Sequence, residues 1–331
     1  MYRILFALLL LSASLSAQRL QVVEGKAQGT YFIVKYVSAD TTSLAASIDS
    51  VFAVIDQSLS LYKPGSLINR FNEGKSITMD SHMQAVITKA LWISSITRGS
   101  FDITVKPLVD IWGFGVHHTA QQQVPSRDTL RNILQYVGYK YLQVNGQQLE
   151  KKKPGVKIDC NGIAQGYTTD VLAGFLEQRG ITDYLVDVGG ELRSKGHNAQ
   201  QQVWTVGIES PASETGGSPV QNILSLSNKA VTTSGNYRRF FEQGGIRFAH
   251  TIDPVSGQAL HSNIVSVTVI APDAITADGF DNALILMGVE KSLKFIADHP
   301  GYKIEAAFIY KDKAGKIKQR FSPGFRKLLL K

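Results

Sequence analysis

The stretch Ile264-Val-Ser-Val-Thr-Val-Ile-Ala-Pro-Asp-Ala-Ile-Thr-Ala-Asp-Gly-Phe-Asp-Asn-Ala-Leu284 sets a β-rich run, Ile264 to Ile270, directly before a segment whose polar residues recur at helical spacing. If a helix opens near Thr276, Asp278, Asp281 and Asn282 fall at i, i+3 and i+4 and share one face. Similar β-rich runs occur at Tyr184 to Val188, Val203 to Ile208, Arg247 to Ile252 and Ile304 to Tyr310, each bounded by turn residues. Near the start, Leu20-Gln-Val-Val and Tyr31 to Val37 flank the turn-prone Gly25 to Gly29 and read as a hairpin. Three amphipathic helices interrupt these runs. One carries Leu44, Ile48, Val51, Phe52, Ile55 and Leu59 at steps of three and four; a second spans Met83 to Thr97; a third follows Gly166 and stops at Gly180. Helices scattered among strands, without strict alternation, predict an α+β fold of layered mixed or antiparallel sheets with flanking helices, and not a doubly wound parallel sheet.

Composition agrees with a globular chain. The 331 residues are 44% hydrophobic and 19% charged, which excludes a fibre or a disordered polymer. Net charge is 35 − 27 = +8, suited to an anionic ligand, a membrane surface or nucleic acid, and charge alone does not choose among them. The basic residues gather mainly between Lys311 and Lys331, which reads as a solvated tail, and no nucleic-acid motif accompanies them. Residues 1–17 place Arg3 before an apolar run from Ile4 to Leu11 and then small residues, the pattern of a cleaved secretory signal. That leaves 18–331 as one catalytic unit, exported, periplasmic and soluble, with no later transmembrane run. Cys160 is the only cysteine, so neither an internal disulfide nor a lipid-anchor cysteine after the signal is expected. The polar stretch Ser210 to Pro219 reads as a surface loop.

Five segments carry candidate chemistry. Asp278 and Asn282 would offer a carboxylate and an amide oxygen, the hard donors Mg²⁺ takes beside substrate phosphates; an acidic helix start favoured by the macrodipole accounts for the same residues. In Ile158-Asp-Cys-Asn-Gly-Ile-Ala-Gln-Gly166 a Gly-containing turn leads into a helix, so either the helix start binds an anion or Asp159 simply caps it. His250-Thr-Ile-Asp-Pro-Val-Ser-Gly257 puts a histidine on a strand before an Asp-Pro turn, either as a packing residue or as an acid or base near neutral pH. His117 and His118 are assigned no role. Gly99 to Gly115 is dense in aromatics and glycines around Asp102 and Thr104, consistent with core packing or with close approach to a ligand. Tyr62 follows the first helix in a loop where a planar ring can stack on it.

The order and wording of these segments resemble the FAD:protein FMN transferases, the ApbE family. The resemblance runs from about Gly25 to Gly288 through Gly29-Thr30, Ser60 to Asn72, Gly99 to Gly115, Asp159 to Gly166, Asp187-Val-Gly-Gly, Thr233-Ser-Gly-Asn-Tyr-Arg-Arg, His250 to Gly257 and Ala277 to Gly288. It implies the layered ApbE architecture, related to the T-fold. It also implies an exported enzyme that splits FAD across its pyrophosphate, joins FMN by a phosphoester bond to a threonine or serine of another protein, and releases AMP. The implied partners are flavoprotein subunits of membrane redox complexes that carry a short Ser/Thr acceptor motif. By the same resemblance Asp278 and Asn282 hold Mg²⁺ with the carbonyl of Gly162, and Asp281 contacts the ligand. Tyr62 and Gln28 meet the flavin, Ser100, Phe101 and Asp102 line the FAD site, Asp159, Gln165 and Ile252 contact the nucleotide, and His250 moves the proton. Asn282 stands where the family usually has threonine, Gln165 where lysine is frequent, and Gln28 where methionine is common. An exported protein that only binds FAD, or hydrolyses it to FMN and AMP, is the alternative these departures suggest.

Overall fold

The structure is a computed structural model that describes residues 18–116, 122–209, 220–236 and 240–330. The secretory-signal segment, the histidine pair at 117 and 118, the loop Ser210 to Pro219 and residues 237–239 of the Thr233 block lie outside the described residues.

The chain opens with β1 (Arg19–Ala27) and β2 (Thr30–Ser38), a hairpin whose two-residue turn, Gln28-Gly29, has positive φ at both positions (51° and 76°). This is the primed turn whose twist matches the flanking strands. The apolar stripe from Leu44 forms α1 (Ala45–Leu59), followed by the short α2 (Leu67–Glu73), capped by Ser66. β3 (Ser76–Thr78) leads to α3 (Ser81–Ile96), α4 (Lys106–Ile111) and α5 (Arg127–Leu134). β4 (Leu142–Asn145) and β5 (Gln148–Lys151) complete a three-stranded sheet with β3. After α6 (Ala164–Glu177) come β6 (Tyr184–Val188), β7 (Glu191–Lys195), β8 (Trp204–Glu209), β9 (Val220–Leu226) and β10 (Lys229–Gly235). Then follow β11 (Phe240–Gln243), β12 (Ile246–Ala249), β13 (Ile264–Ala271), α7 (Ala274–Met287), α8 (Val289–Asp298), β14 (Glu305–Lys311), β15 (Ile317–Phe321) and α9 (Pro323–Arg326).

The central sheet has eight strands in the order β1-β2-β6-β7-β10-β13-β14-β15, and each neighbouring pair is antiparallel. Because side chains alternate across a strand, β13 and β14 send Val267, Val269, Ala306 and Phe308 to one face and Ile270 and Ala307 to the other. The first face packs on α1, α3, α6 and α7. The second packs on the β8–β9 ribbon and α9 through Trp204, Val206, Leu224 and Phe325. The architecture is therefore α+β and layered, as predicted.

Three expectations change in detail. The run Val203 to Ile208 forms a separate two-stranded ribbon, β8–β9, over the sheet. Arg247 to Ile252 yields only β12, paired with β11, while Ile252 makes a lone bridge to Ala259. The basic C-terminal segment is not a solvated tail: β15 is an edge strand of the main sheet, Phe325 is fully buried, and Leu329 bridges Leu224. Its lysines point outward while the apolar residues between them dock, so charge density concealed the packing.

Candidate functional site

Helix α7 crosses the middle of the molecule, and eleven of its fourteen residues are buried. Such a helix should be apolar all round, yet Asp278 is 4% and Asp281 2% exposed. Removing a carboxylate from water costs several kcal/mol unless partners or a cation compensate. Burial, reinforced by the charge of Asp170, pushes the Asp278 carboxyl up to about 7 against the lowering effect of the Gly166 N–H. Asp281 is pushed well above the usual carboxylate range by burial and by the charges of Asp278 and Glu191.

The compensating groups come from the first turn of α6, from the Gly162 turn before it and from α7 itself. Gly166 N–H donates to Asp278 Oδ2 at 2.8 Å. The approach is close: a Cβ on Gly166 would overlap the Ala274 backbone and stand 2.7 Å from the Asp278 Cβ. Asn282 Nδ2 lies 2.9 Å from Asp281 Oδ1, 3.2 Å from the Asp278 carbonyl and 3.3 Å from the Gly162 carbonyl. Oxygens from two elements 120 residues apart thus converge on one electropositive group. A Cβ on Gly162 would lie 3.7 Å from the Phe101 ring, which brings the Gly99 segment to the same place.

Asp159 does not cap α6. The capping position is Ile163, without a side-chain cap bond, and Asp159 Oδ1 instead accepts from Asn161 N–H at 2.8 Å while burial raises its carboxyl pKa. The start of α6 is not an open anion cradle either, because the Ile163 and Ala164 N–H groups donate to the Cys160 carbonyl and that of Gly166 to Asp278. Ile158 and Asp159 lie in an extended segment outside any sheet. Asp102 is buried and committed to structure: Oδ1 accepts from Thr104 N–H at 2.8 Å and from its hydroxyl at 2.6 Å, and Oδ2 accepts from Tyr139 N–H at 2.6 Å. Ser100, Phe101 and Asp102 therefore form a rigid wall whose carboxylate faces its own loops.

A second group includes the loop of Tyr62, which is 60% exposed, through its neighbour Lys63. Gln28 Nε2 donates to Asp56 Oδ1 at 3.2 Å, and Asp56 also faces Lys63 at 3.8 Å. Gln28 Oε1 is buried with no hydrogen-bond partner. Gln165 sits below the β6–β7 turn, its Nε2 3.3 Å from where a Gly189 Cβ would be, beside Thr30. A third group holds His250 and Ile252. The His250 ring meets Phe114 edge-on at 6.5 Å, next to the cluster of Trp112, Phe241 and Phe248, and Trp112 Nε1 ties this cluster to the Gly257 carbonyl at 2.8 Å.

Sequence reasoning passed over the groups that hold these pieces. Asp170 accepts from the N–H groups of Ala274 and Ile275, each at 2.9 Å, and from Arg193 at 2.7 Å, pinning the start of α7 to α6 and β7. Asn69 and Asn72 do similar work from α2. Only the place of Asn72 at the end of a motif hinted at a role.

The sequence profile of the ApbE family matches residues 28–308, and the chain belongs to that family. Among curated relatives, the FAD:protein FMN transferase of Salmonella typhimurium is 38% identical over 286 residues, covering 83% of this chain and 81% of its own length. That of Escherichia coli K12 is 34% identical over 328 residues, covering 96% and 92%. Among solved structures, a histidine-to-glycine variant of the flavin transferase ApbE from Vibrio cholerae has a TM-score of 0.85 at 32% identity, covering 94% of this chain and all of its own. The apo flavinyl transferase ApbE of Pseudomonas stutzeri has a TM-score of 0.84 at 30% identity, covering 94% and 97%.

Proposed function

We propose that this chain is an exported, Mg²⁺-dependent FAD:protein FMN transferase. The observation that carries the reading is the meeting of the Gly162 carbonyl, the Asp278 main-chain carbonyl and Asp281 Oδ1 at the Asn282 amide, with the Asp278 carboxylate bonded to the Gly166 N–H at the start of α6, within a fold whose relatives bear that name. The donor set fits a hard divalent ion: it is all oxygen once the Asn282 amide turns its Oδ1 inward, and a cation would take over the role Nδ2 now plays. When bound, Mg²⁺ would neutralise pyrophosphate charge and stabilise the departing phosphate. Asp278 and Asn282 would hold the ion with the Gly162 carbonyl, and Asp281 would contact the ligand from the same helix.

The chain's remaining residues align the reaction. Tyr62 offers an exposed ring for the isoalloxazine, and Gln28 would meet the flavin. Gln165, Asp159 and Ile252 would border the nucleotide, and Ser100, Phe101 and Asp102 would line the FAD site. The acceptor hydroxyl oxygen bonds to the FMN phosphorus, the bridging P–O bond breaks, and AMP leaves with the bridging oxygen. His250 accepts the hydroxyl proton and passes it to solvent. The attacking oxygen belongs to the partner, so the enzyme supplies alignment and charge rather than a nucleophile of its own.

The acceptors are flavoprotein subunits of membrane redox complexes with a Ser/Thr acceptor motif. Export follows from the secretory-signal pattern at 1–17; among the described residues no helix is long and apolar enough to cross a membrane. The test is incubation of the mature chain with FAD, Mg²⁺ and an acceptor domain, followed by intact-mass measurement. The acceptor should gain one FMN phosphoryl group and AMP should appear in equal amount. Free FMN formed without acceptor would favour the hydrolase reading, and FAD binding without either product would favour simple storage.

A further inference from the structure

Helix α2 is only seven residues long, yet it carries two side chains that fasten different parts of the site. Buried Asn72 pairs with the backbone of Ile158 in both directions: its Nδ2 donates to the Ile158 carbonyl at 2.9 Å, and its Oδ1 accepts from the Ile158 N–H at 2.7 Å. This amide takes the place of the neighbouring strand that the extended segment lacks. One residue on, Asp159 N–H donates to the Ile103 carbonyl at 2.7 Å, so the segment is held from both sides before it turns at Gly162.

Asn69 faces the other way. Its Nδ2 donates to the carbonyls of Lys63 at 2.9 Å and Leu61 at 3.1 Å, with that of Ser60 at 3.5 Å, and the Ser66 hydroxyl donates to the same Ser60 carbonyl at 2.8 Å. These carbonyls flank Tyr62, whose ring is exposed while its backbone is encircled.

We propose that Asn72 and Asn69 are positioning residues that set the two ends of the substrate site independently: Asn72 places the Gly162 carbonyl against α7, and Asn69 places the Tyr62 loop for the flavin. The proposal rests on the transferase reading. It predicts a crossover between metal and flavin parameters, which general loss of structure does not produce.

The experiment compares wild type, Asn72→Ala and Asn69→Ala in three measurements: Mn²⁺ binding by electron paramagnetic resonance, FAD binding by calorimetry in EDTA, and the Mg²⁺ and FAD dependence of transfer. Asn72→Ala should weaken Mn²⁺ binding and raise the Mg²⁺ needed for half-maximal transfer by about tenfold, the usual cost of losing an outer-shell support, with FAD affinity in EDTA within about twofold. Asn69→Ala should weaken FAD binding and raise the KM for FAD by roughly fivefold, with Mn²⁺ binding within about twofold. Should Asn72→Ala not fold, Asn72→Ser keeps a hydroxyl near the Ile158 backbone and should show the same metal-side shift at smaller size. Variants that shift both parameters together, or neither, would overturn the assignment. A wild-type chain that binds FAD and Mn²⁺ but transfers nothing would instead overturn the transferase reading, while the two binding crossovers would still decide the positioning roles.

Discussion

Two consecutive helices, α7 and α8, meet at Gly288 and obey opposite rules. α8 buries Ser292, Phe295 and Ile296 on one side and gives its charged residues to water, so its sequence explains its packing. α7 is buried almost throughout and still includes two carboxylates, which packing alone would reject. A helix that satisfies its pattern reports structure, whereas one that breaks it at a desolvation cost marks a candidate site.

The difference can be broken most severely at Asp278. Asp278→Ala should reduce transfer by at least about 1000-fold if Asp278 is the metal ligand proposed above, since the reaction would lose the charge that neutralises the diphosphate; a steady-state assay with acceptor present measures it, and activity within tenfold of wild type would remove the metal assignment. Next is Gly166→Ala. The added methyl meets the Ala274 backbone and the Asp278 Cβ, so stability should fall by about 1–3 kcal/mol in urea titration and the oxygen cluster should loosen with it.

The pH response separates the helices further. Because burial raises the Asp278 pKa to about 7 and raises that of Asp281 as well, the folded protein holds protons that the unfolded chain releases above the usual carboxylate range. Metal-free stability should therefore fall as pH rises from about 4 to about 7, and stabilisation by Mg²⁺, which displaces those protons, should grow over the same interval. Thermal unfolding with and without Mg²⁺ at about pH 5.5 and about pH 8 checks the sign, and a larger Mg²⁺ shift at the lower pH would contradict it. The smallest effect belongs to α8. Lys294 pairs with Asp298 at 2.9 Å on an exposed face, so Lys294→Ala should change stability by no more than about 0.5 kcal/mol and leave transfer unchanged.

The same contrast governs how much the sequence reveals. The β1–β2 hairpin, α1, α3 and α6 were legible because apolar residues recur at the period of the element. β10, Lys-Ala-Val-Thr-Thr-Ser-Gly, was not, although it lies between β7 and β13, because small polar residues dilute its alternation. β15 and α9 were hidden by lysines that shield Phe321, Phe325 and Leu329. Within the site, Asp278, Asp281 and Asn282 were legible from helical spacing and Gly162 from the family wording, and the fold brings all four together. Asp170 and Asn72 were illegible as supports, since their partners lie 104 and 86 residues away and no local pattern encodes such a pairing. Asp102 was placed in the site by its motif, but its carboxylate is spent on Thr104 and Tyr139.

The central claim is that α7 and the Gly162 turn together hold a divalent cation against a dinucleotide diphosphate. Crystals soaked with FAD and Mn²⁺, with data collected at the manganese edge, test it most directly. The account predicts an anomalous peak bounded by the Gly162 carbonyl, an Asp278 carboxylate oxygen and the Asn282 amide, in contact with the diphosphate. A diphosphate bound there with no metal peak, or a peak at other residues in protein that still transfers FMN, would contradict it.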